Sequence, residues 1–167
     1  MRKLLFTILV IIPFIGVGQT ETDFINSGLE KSDKNDHYGA IADFTKAIEI
    51  NSENFLAFNF RGLSKTDIGD YYGSIVDFRN AIKLQPNNPK WTHYFYDNMG
   101  VSMMDVGDDK GAIAVFDKSI QLNPDYANAY LNRGTCRSNL GYDGCEDWRL
   151  AAYRGSKSAQ NKLKNCN

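Results

Sequence analysis

The chain has 167 residues, of which 43% are hydrophobic and 23% are charged, with 19 Lys and Arg against 20 Asp and Glu. This is the composition of one ordinary globular domain, and it excludes a disordered chain, a collagen and a multi-span membrane protein. The near balance of charge also argues against a nucleic-acid-binding protein, which normally carries a clustered basic face.

The first 18 residues differ from the rest of the chain. A short basic start is followed by an almost unbroken apolar run from Leu4 to Ile15 and then by small residues. This order is typical of a secretory signal peptide, and the apolar run is shorter than the roughly 20 residues that span a membrane. We therefore predict a signal peptide over 1–18, cleaved between Gly18 and Gln19. The protein would be exported to a bacterial periplasm or the exterior, free of the membrane after cleavage, and an uncleaved N-terminal anchor is the alternative.

A sequence repeat covers most of the remaining chain. Four glycines recur at spacings of 34, 38 and 34, and the first three are each followed at +12, +16 and +19 by a small residue, Phe and a small residue. Seven residues after each glycine stands Asn or Gly, which tolerate the left-handed backbone that ends a helix. An amphipathic helical pattern follows, so each unit is predicted to be a helix, a tight turn and a second helix. The repeat glycines are Gly28, Gly62, Gly100 and Gly134, and the turn residues are Asn35, Gly69, Gly107 and Gly141.

This period, the Gly, Ala, Phe, Ala series and the Pro that closes two of the units resemble the tetratricopeptide repeat family over roughly residues 21–155. The resemblance implies an all-α fold, a right-handed α-solenoid of four helix-turn-helix repeats. We place the repeat domain at 19–155. A last amphipathic segment over 156–167 is predicted to be a C-terminal capping helix, which a solenoid needs at its open end. The four units are expected at about 21–54, 55–88, 89–126 and 127–155.

Two units depart from the period. Four extra residues fall within Asn87 to Thr92, before the third unit, and four residues are close to one helical turn. We therefore expect the first helix of that unit to start a turn early. In the fourth unit Trp148 follows Gly134 by 14 residues, where the other units have Phe at 16, so a tighter turn is expected around 142–144.

Few side chains suggest catalysis or metal binding. The two histidines, His37 and His93, lie in different units, and we find no nucleophile-elbow, phosphate-loop or zinc-protease motif. Acidic clusters at 67–70 and 105–109 flank the helix-ending glycines and are interpreted as solvated turn residues. We predict that the protein is not an enzyme and uses no cofactor and no metal.

The three cysteines matter because an exported protein can keep disulfides. Cys145 opens the second helix of the last unit and Cys166 closes the predicted cap, so antiparallel packing of these helices favours a disulfide between them. Cys136 would then be buried and free, and a bond between Cys136 and Cys145 is the alternative. A thiol-active accessory protein that uses Cys136 is the least favoured function, because the chain has no C-x-x-C motif.

The family resemblance implies that the first helices line a concave groove that binds a peptide segment. Positions −3, −2, +1 and +5 from each glycine are expected to face it. Three units place Asn at −2, and these amides can pair with a partner's backbone, while Phe60 and Tyr94 add apolar anchors. The alternative is that the asparagines bond across adjacent helices and hold the stack together. The predicted partner-binding residues are Asn26, Asn59, Phe60, Asp67, Tyr94, Asp97, Asn98, Asn132 and Asn139.

These groove positions contain no Lys or Arg. The set of Lys, Asn and Arg by which some family members grip a C-terminal carboxylate is therefore expected to be absent, and the groove acids Asp33, Asp67, Asp97 and Asp105 favour a neutral or basic partner. We predict a non-catalytic adaptor that binds a protein or peptide on its concave face. A self-associating structural envelope protein, a homo-oligomer, is the alternative.

Overall fold

The computed structural model describes residues 19–166, and the predicted signal peptide lies outside this range. Within it the chain forms helices and no strand. None of these helices combines the length and the apolarity that a membrane span requires. The helices are α1 (Glu21–Asp33), α2 (His37–Ile50), α3 (Phe55–Asp67), α4 (Tyr71–Leu84), α5 (Thr92–Asp105), α6 (Asp109–Leu122), α7 (Ala127–Asn139), α8 (Cys145–Tyr153) and α9 (Lys157–Lys162), with a 3-10 turn at Leu163–Asn165.

The helices stack as a linear array. The pairs α1/α2, α3/α4, α5/α6 and α7/α8 pack internally, and the second helix of each pair packs against the first helix of the next. The first helices also touch one another, because α3 contacts α1 and α5, and α5 contacts α7. We call the surface formed by α1, α3, α5 and α7 the first-helix face. The predicted all-helical array of stacked helix-turn-helix units is confirmed.

A left-handed residue and an acidic cap shape the turn within each of the first three units. In the second unit Gly69 has a φ of 80°, which L side chains rarely adopt. The next residue, Asp70, caps α4 by accepting a hydrogen bond from the Gly73 amide at 3.0 Å. The acidic residues of these turns thus include helix caps. The same arrangement recurs at Asn35, Asp36 and Gly39 and at Gly107, Asp108 and Gly111.

A close contact between a glycine and an aromatic ring joins the two helices of each unit. Phe78 of α4 is fully buried, and its ring lies so close to Gly62 of α3 that a Cβ at Gly62 would fall 2.8 Å from Phe78 Cε1. Any larger residue at the glycine would force the two helices apart. The other units pair Gly28 with Phe44, Gly100 with Phe116 and Gly134 with Trp148.

A buried ion pair stands beside this contact in three units. In the second unit the fully buried Asp77 contacts Arg61 at 2.7 Å and Lys65 at 2.8 Å, both on α3. Equivalent pairs join Asp43 to Lys31 in the first unit, and Asp147 to Arg133 and Arg137 in the fourth. In the third unit the corresponding residues are apolar: Met99, Met103 and Val115.

The extra residues before the third unit form a loop and do not add the helical turn expected from the sequence. Helix α5 begins at Thr92, only one residue early relative to the repeat. Thr92 is buried, and its hydroxyl donates to the Gln85 carbonyl at 2.5 Å and accepts from the Asn88 amide at 3.0 Å. The Asn88 side chain also accepts a hydrogen bond from the Lys90 amide at 3.0 Å, and such side-chain bonds to the backbone stabilise a turn in place of a helix.

Helix α9 covers the end of the array. Its buried Ala159 packs with Tyr130 and Trp148, two aromatic residues of the fourth unit. A disulfide joins Cys145, the first residue of α8, to Cys166, with the two Cα atoms 5.9 Å apart. This is the favoured one of the two pairings that the sequence left open.

Candidate functional site

Five of the predicted partner-binding residues lie together in the middle of the first-helix face. Asn59 is on α3, Tyr94, Asp97 and Asn98 are on α5, and Asn132 is on α7. Asn59 and Asp97 are only 8% and 5% exposed, because the first helices pack side by side. These two residues are therefore not open to a partner in the way the sequence suggested.

The asparagines of this face bond across neighbouring helices. The Asn98 side-chain amide donates to Asn59 Oδ1 at 3.3 Å, which links α5 to α3. The Asn132 amide donates to Asp97 Oδ1 at 3.2 Å, which links α7 to α5. These contacts favour the interpretation that the amides hold the stack, whereas Asn26 on α1 is exposed.

A buried carboxyl lies between α5 and α7. Asp97 accepts hydrogen bonds from the Asn132 amide and from the Tyr126 hydroxyl, the latter at 3.1 Å. Burial raises the pKa of Asp97 to about 6, although both hydrogen bonds oppose the shift. Burial and the neighbouring Asp97 charge raise the pKa of Tyr126, so this hydroxyl stays protonated at neutral pH and can donate.

Three aromatic rings meet at the N-terminal end of α5. Tyr94 is 41% exposed, and its ring centroid lies 4.0 Å from that of His93 and 5.1 Å from that of Tyr126. His93 is buried, and burial lowers its pKa, so the imidazole is neutral. Tyr94 therefore exposes part of its ring to solvent while His93 and Tyr126 pack against the rest of it.

A pocket of about 400 Å³ opens beside Tyr94, between α3 and α5. We call it the α3–α5 pocket. It combines aromatic surface with two amides and one ammonium group, which is the mixture typical of binding sites. Its lining residues are Asn59, Lys90, Trp91, Tyr94, Phe95 and Asn98.

Two of these lining residues were missed from the sequence. Lys90 and Trp91 belong to the loop before α5, and the Lys90 ammonium lies 4.8 Å from the centre of the Trp91 ring. The loop thus adds a basic residue beside the groove positions read from the sequence, none of which is Lys or Arg. The signal was present in the 38-residue spacing, since an insertion next to a predicted groove residue adds new side chains to that groove.

The other predicted site residues lie outside this pocket. Phe60 packs its ring 5.7 Å from that of Phe44. Asp67 Oδ2 lies 3.3 Å from His37 Nδ1, and Asn139 donates to Asp109 at 3.0 Å. His37 is thus half-buried beside a carboxylate.

Neither a metal site nor a reactive thiol emerges from the described residues. Within 19–166, no three His, Cys, Asp or Glu side chains are grouped as metal ligands would be. Cys136 is fully buried, and burial together with the neighbouring Asp109 raises the pKa of its thiol to about 12. A protonated, enclosed thiol is a poor nucleophile, which argues against thiol chemistry.

Two segments of the chain match known sequence families. Residues 24–54 match a family described as tetratricopeptide repeat, and residues 102–141 match one described as TPR repeat. These two segments are tetratricopeptide repeats, and the described residues form a TPR-like array of stacked helix-turn-helix units. Such repeats form scaffolds that are generally non-catalytic and typically mediate protein–protein interactions. No match is found among curated proteins.

Several solved structures share this fold. The crystal structure of MamA protein is 23% identical, with 87% of this chain and 80% of that chain covered and a TM-score of 0.77. The first TPR of Spaghetti (RPAP3), bound to HSP90 peptide SRMEEVD, is 15% identical in sequence and has a TM-score of 0.68. The match covers 74% of this chain and 94% of that chain. YrrB, described as a TPR protein with an unusual peptide-binding site, is 19% identical in sequence and has a TM-score of 0.67. The match covers 80% of this chain and 68% of that chain. At these identities the likeness concerns the fold alone.

Proposed function

We propose that this protein is a non-catalytic adaptor that binds a segment of a partner protein on its first-helix face. The observation that carries the proposal is the α3–α5 pocket, where aromatic rings, the partly exposed Asn98 amide and the Lys90 ammonium line one opening. Aromatic side chains supply much of the binding energy at protein interfaces, and amides pair with peptide backbone. The RPAP3 and YrrB structures are described as peptide-bound and peptide-binding, so this fold supports such a function.

Partner capture tests this proposal. The full chain, carrying a C-terminal affinity tag, is incubated with an envelope extract of the producing organism, and captured proteins are identified by mass spectrometry. We expect a partner that binds the wild-type protein and is lost with the double variant Trp91→Ala, Tyr94→Ala. Circular dichroism first establishes that the variant keeps its helix content.

The matched control removes two tyrosines elsewhere. Tyr38 and Tyr72 are 74% and 73% exposed and lie on second helices, away from the pocket. The variant Tyr38→Ala, Tyr72→Ala should retain the partner. A partner that survives loss of Trp91 and Tyr94 would place recognition on another surface. Capture of the chain alone, with a molar mass that rises with concentration in light scattering, would favour the self-associating alternative.

We further propose that the protein is exported and loses residues 1–18. The basic start, the short apolar run and the small residues at its end support this, as does the disulfide between Cys145 and Cys166, since disulfides persist in oxidising compartments. Intact mass spectrometry of protein recovered from the periplasm or medium of a bacterial host should give a chain that begins at Gln19. A chain that keeps Met1 and sediments with membranes would support the anchor instead.

A further inference from the structure

We propose that the α3–α5 pocket selects partner segments in which an acidic side chain stands next to an aromatic or large aliphatic one. This inference rests on the proposed function and names the chemistry that the pocket recognises. It departs from the neutral or basic partner expected from the sequence, because Lys90 lies in the pocket and the groove acids lie elsewhere.

The loop holds Lys90 and Trp91 in place before any ligand arrives. The Asn88 side chain accepts a hydrogen bond from the Lys90 amide at 3.0 Å, and the Asn88 carbonyl accepts one from the Trp91 amide at 3.3 Å. Asn88 is itself bonded to the buried Thr92 hydroxyl. A loop whose backbone is already ordered loses less conformational entropy on binding, so it is suited to recognition.

The charge of Lys90 is available to a ligand. Its ammonium lies over the Trp91 ring, and we find no carboxylate of the described residues within 4 Å of it. A carboxylate placed there gains an ion pair and breaks none. The pocket contributes no acid of its own, since its other lining residues are aromatic or amide side chains.

The acids of the first-helix face either end their helices or face away from this ammonium. Asp67 and Asp105 are the last residues of α3 and α5, whereas Lys90 precedes the first residue of α5. A 14-residue helix is roughly 21 Å long, which is more than twice the Debye length of about 8 Å at physiological salt. Asp97 is buried and turned toward Tyr126 and Asn132, on the α7 side. A ligand carboxylate at Lys90 therefore meets little repulsion.

The aromatic side chains of the pocket account for the preference for an aromatic or large aliphatic side chain next to the acid. The ring centroids of Trp91 and Tyr94 are 6.4 Å apart, with the planes inclined at 52°, and both rings line the opening together with the buried Phe95. A volume of about 400 Å³ is at the small end of ligand pockets and suits one large apolar side chain with its neighbour. Asn98, bonded to Asn59, adds amide contacts for the backbone between them.

A peptide library tests this preference. Random dodecapeptides displayed with both ends fused are selected against the full chain, and a second library presents a free C-terminal carboxylate. We expect the first library to yield segments with Asp or Glu adjacent to Phe, Trp, Tyr or Leu. The strongest binder is then synthesised with blocked ends, and its affinity is measured by fluorescence anisotropy.

Charge reversal provides the decisive comparison. Lys90→Glu should weaken binding of the acidic peptide at least tenfold, and replacing the peptide's acid by Lys should restore much of the loss with this variant. Lys110→Glu, at an exposed position at the start of α6, is the matched control and should change affinity less than twofold.

The failures are distinguishable. Peptides that need Trp91 and Tyr94 but show no preference for an acid, or bind Lys90→Glu equally well, would overturn this inference and leave the proposed function standing. Enrichment from the free-carboxylate library alone would also overturn it. Peptides that are indifferent to Trp91→Ala and Tyr94→Ala, or no enrichment from either library, would count against both.

Discussion

Gly62 of α3 lies against the ring of Phe78 of α4, with no space for a methyl group between them. The variant Gly62→Ala should therefore lower the free energy of unfolding by about 1–3 kcal/mol, despite the better helix propensity of alanine, because overpacking separates the helices. Urea denaturation followed by circular dichroism measures this change. In a Phe78→Leu background the same substitution should cost less, and equal costs in both backgrounds would show that the ring is not the cause.

The buried Asp77 gives a second prediction. Asp77→Ala leaves Arg61 and Lys65 on α3 without their counter-ion, and we expect a loss of about 3 kcal/mol in the free energy of unfolding. Chemical denaturation provides the measurement. The loss should greatly exceed that of Asp105→Ala, which removes an exposed carboxylate.

The third unit supplies a natural replacement for that ion pair. It places Met99, Met103 and Val115 at the three corresponding positions. The triple variant Arg61→Met, Lys65→Met, Asp77→Val should recover most of the stability that Asp77→Ala loses, since well-packed apolar residues can replace a buried ion pair at little cost. A triple variant as unstable as Asp77→Ala would indicate that the second unit depends on Arg61 for more, for example for its hydrogen bond to Thr45.

The buried carboxyl of Asp97 predicts a pH dependence of stability. Its pKa is about 6 in the folded chain against an ordinary value of 3.8, so the folded state retains a proton that the unfolded state releases. The contribution of Asp97 to stability therefore falls as the pH rises from about 4 to about 6, and it stays low at neutral pH.

Substitution by asparagine tests this directly. Asp97→Asn removes the cost of burying the charge, and we expect the variant to exceed wild type at pH 7.5 by up to about 3 kcal/mol in the free energy of unfolding, with the difference vanishing near pH 4. Thermal denaturation at several pH values measures it. Asp105→Asn controls for net charge, and a pH-independent difference for Asp97→Asn would rule out titration of this group as the cause.

The disulfide gives a last prediction. It closes a loop with a sequence separation of 21, so its reduction should lower the free energy of unfolding by about 3 kcal/mol. Thermal melts with and without a reducing agent measure the loss, and Cys145→Ser, Cys166→Ser should reproduce it without reductant. Alkylation of the folded, unreduced protein should leave Cys136 unmodified, and rapid labelling would contradict its burial.

Much of the fold followed from residues whose roles depend on local geometry. Gly69 and Asn35 could be assigned to turns because few residues adopt a left-handed backbone, and Gly134 could be matched to Trp148 because close helix packing requires a small residue opposite a large one. Each constraint is set by one or two positions, so each is visible in a single sequence.

The electrostatic partners were not visible in the same way. Asp77 recurs in the repeat, yet its pairing with Arg61 and Lys65 depends on how far one helix is rotated relative to the other. The pocket was missed for a related reason, because a spacing shows that residues are added and says nothing of the direction in which the loop points them. Buried polar contacts and loop paths are decided by tertiary packing.

The loop before α5 also bears on how such a protein can change its specificity. The segment 85–91 is anchored to the array through the buried Thr92, and the contact between Gly100 and Phe116 lies further along the unit. Sequence changes at Lys90 and Trp91 can therefore alter what the surface recognises while the helices keep their positions. In this respect the loop resembles a variable region on a constant framework, and grafting other sequences into it offers a route to engineered binders.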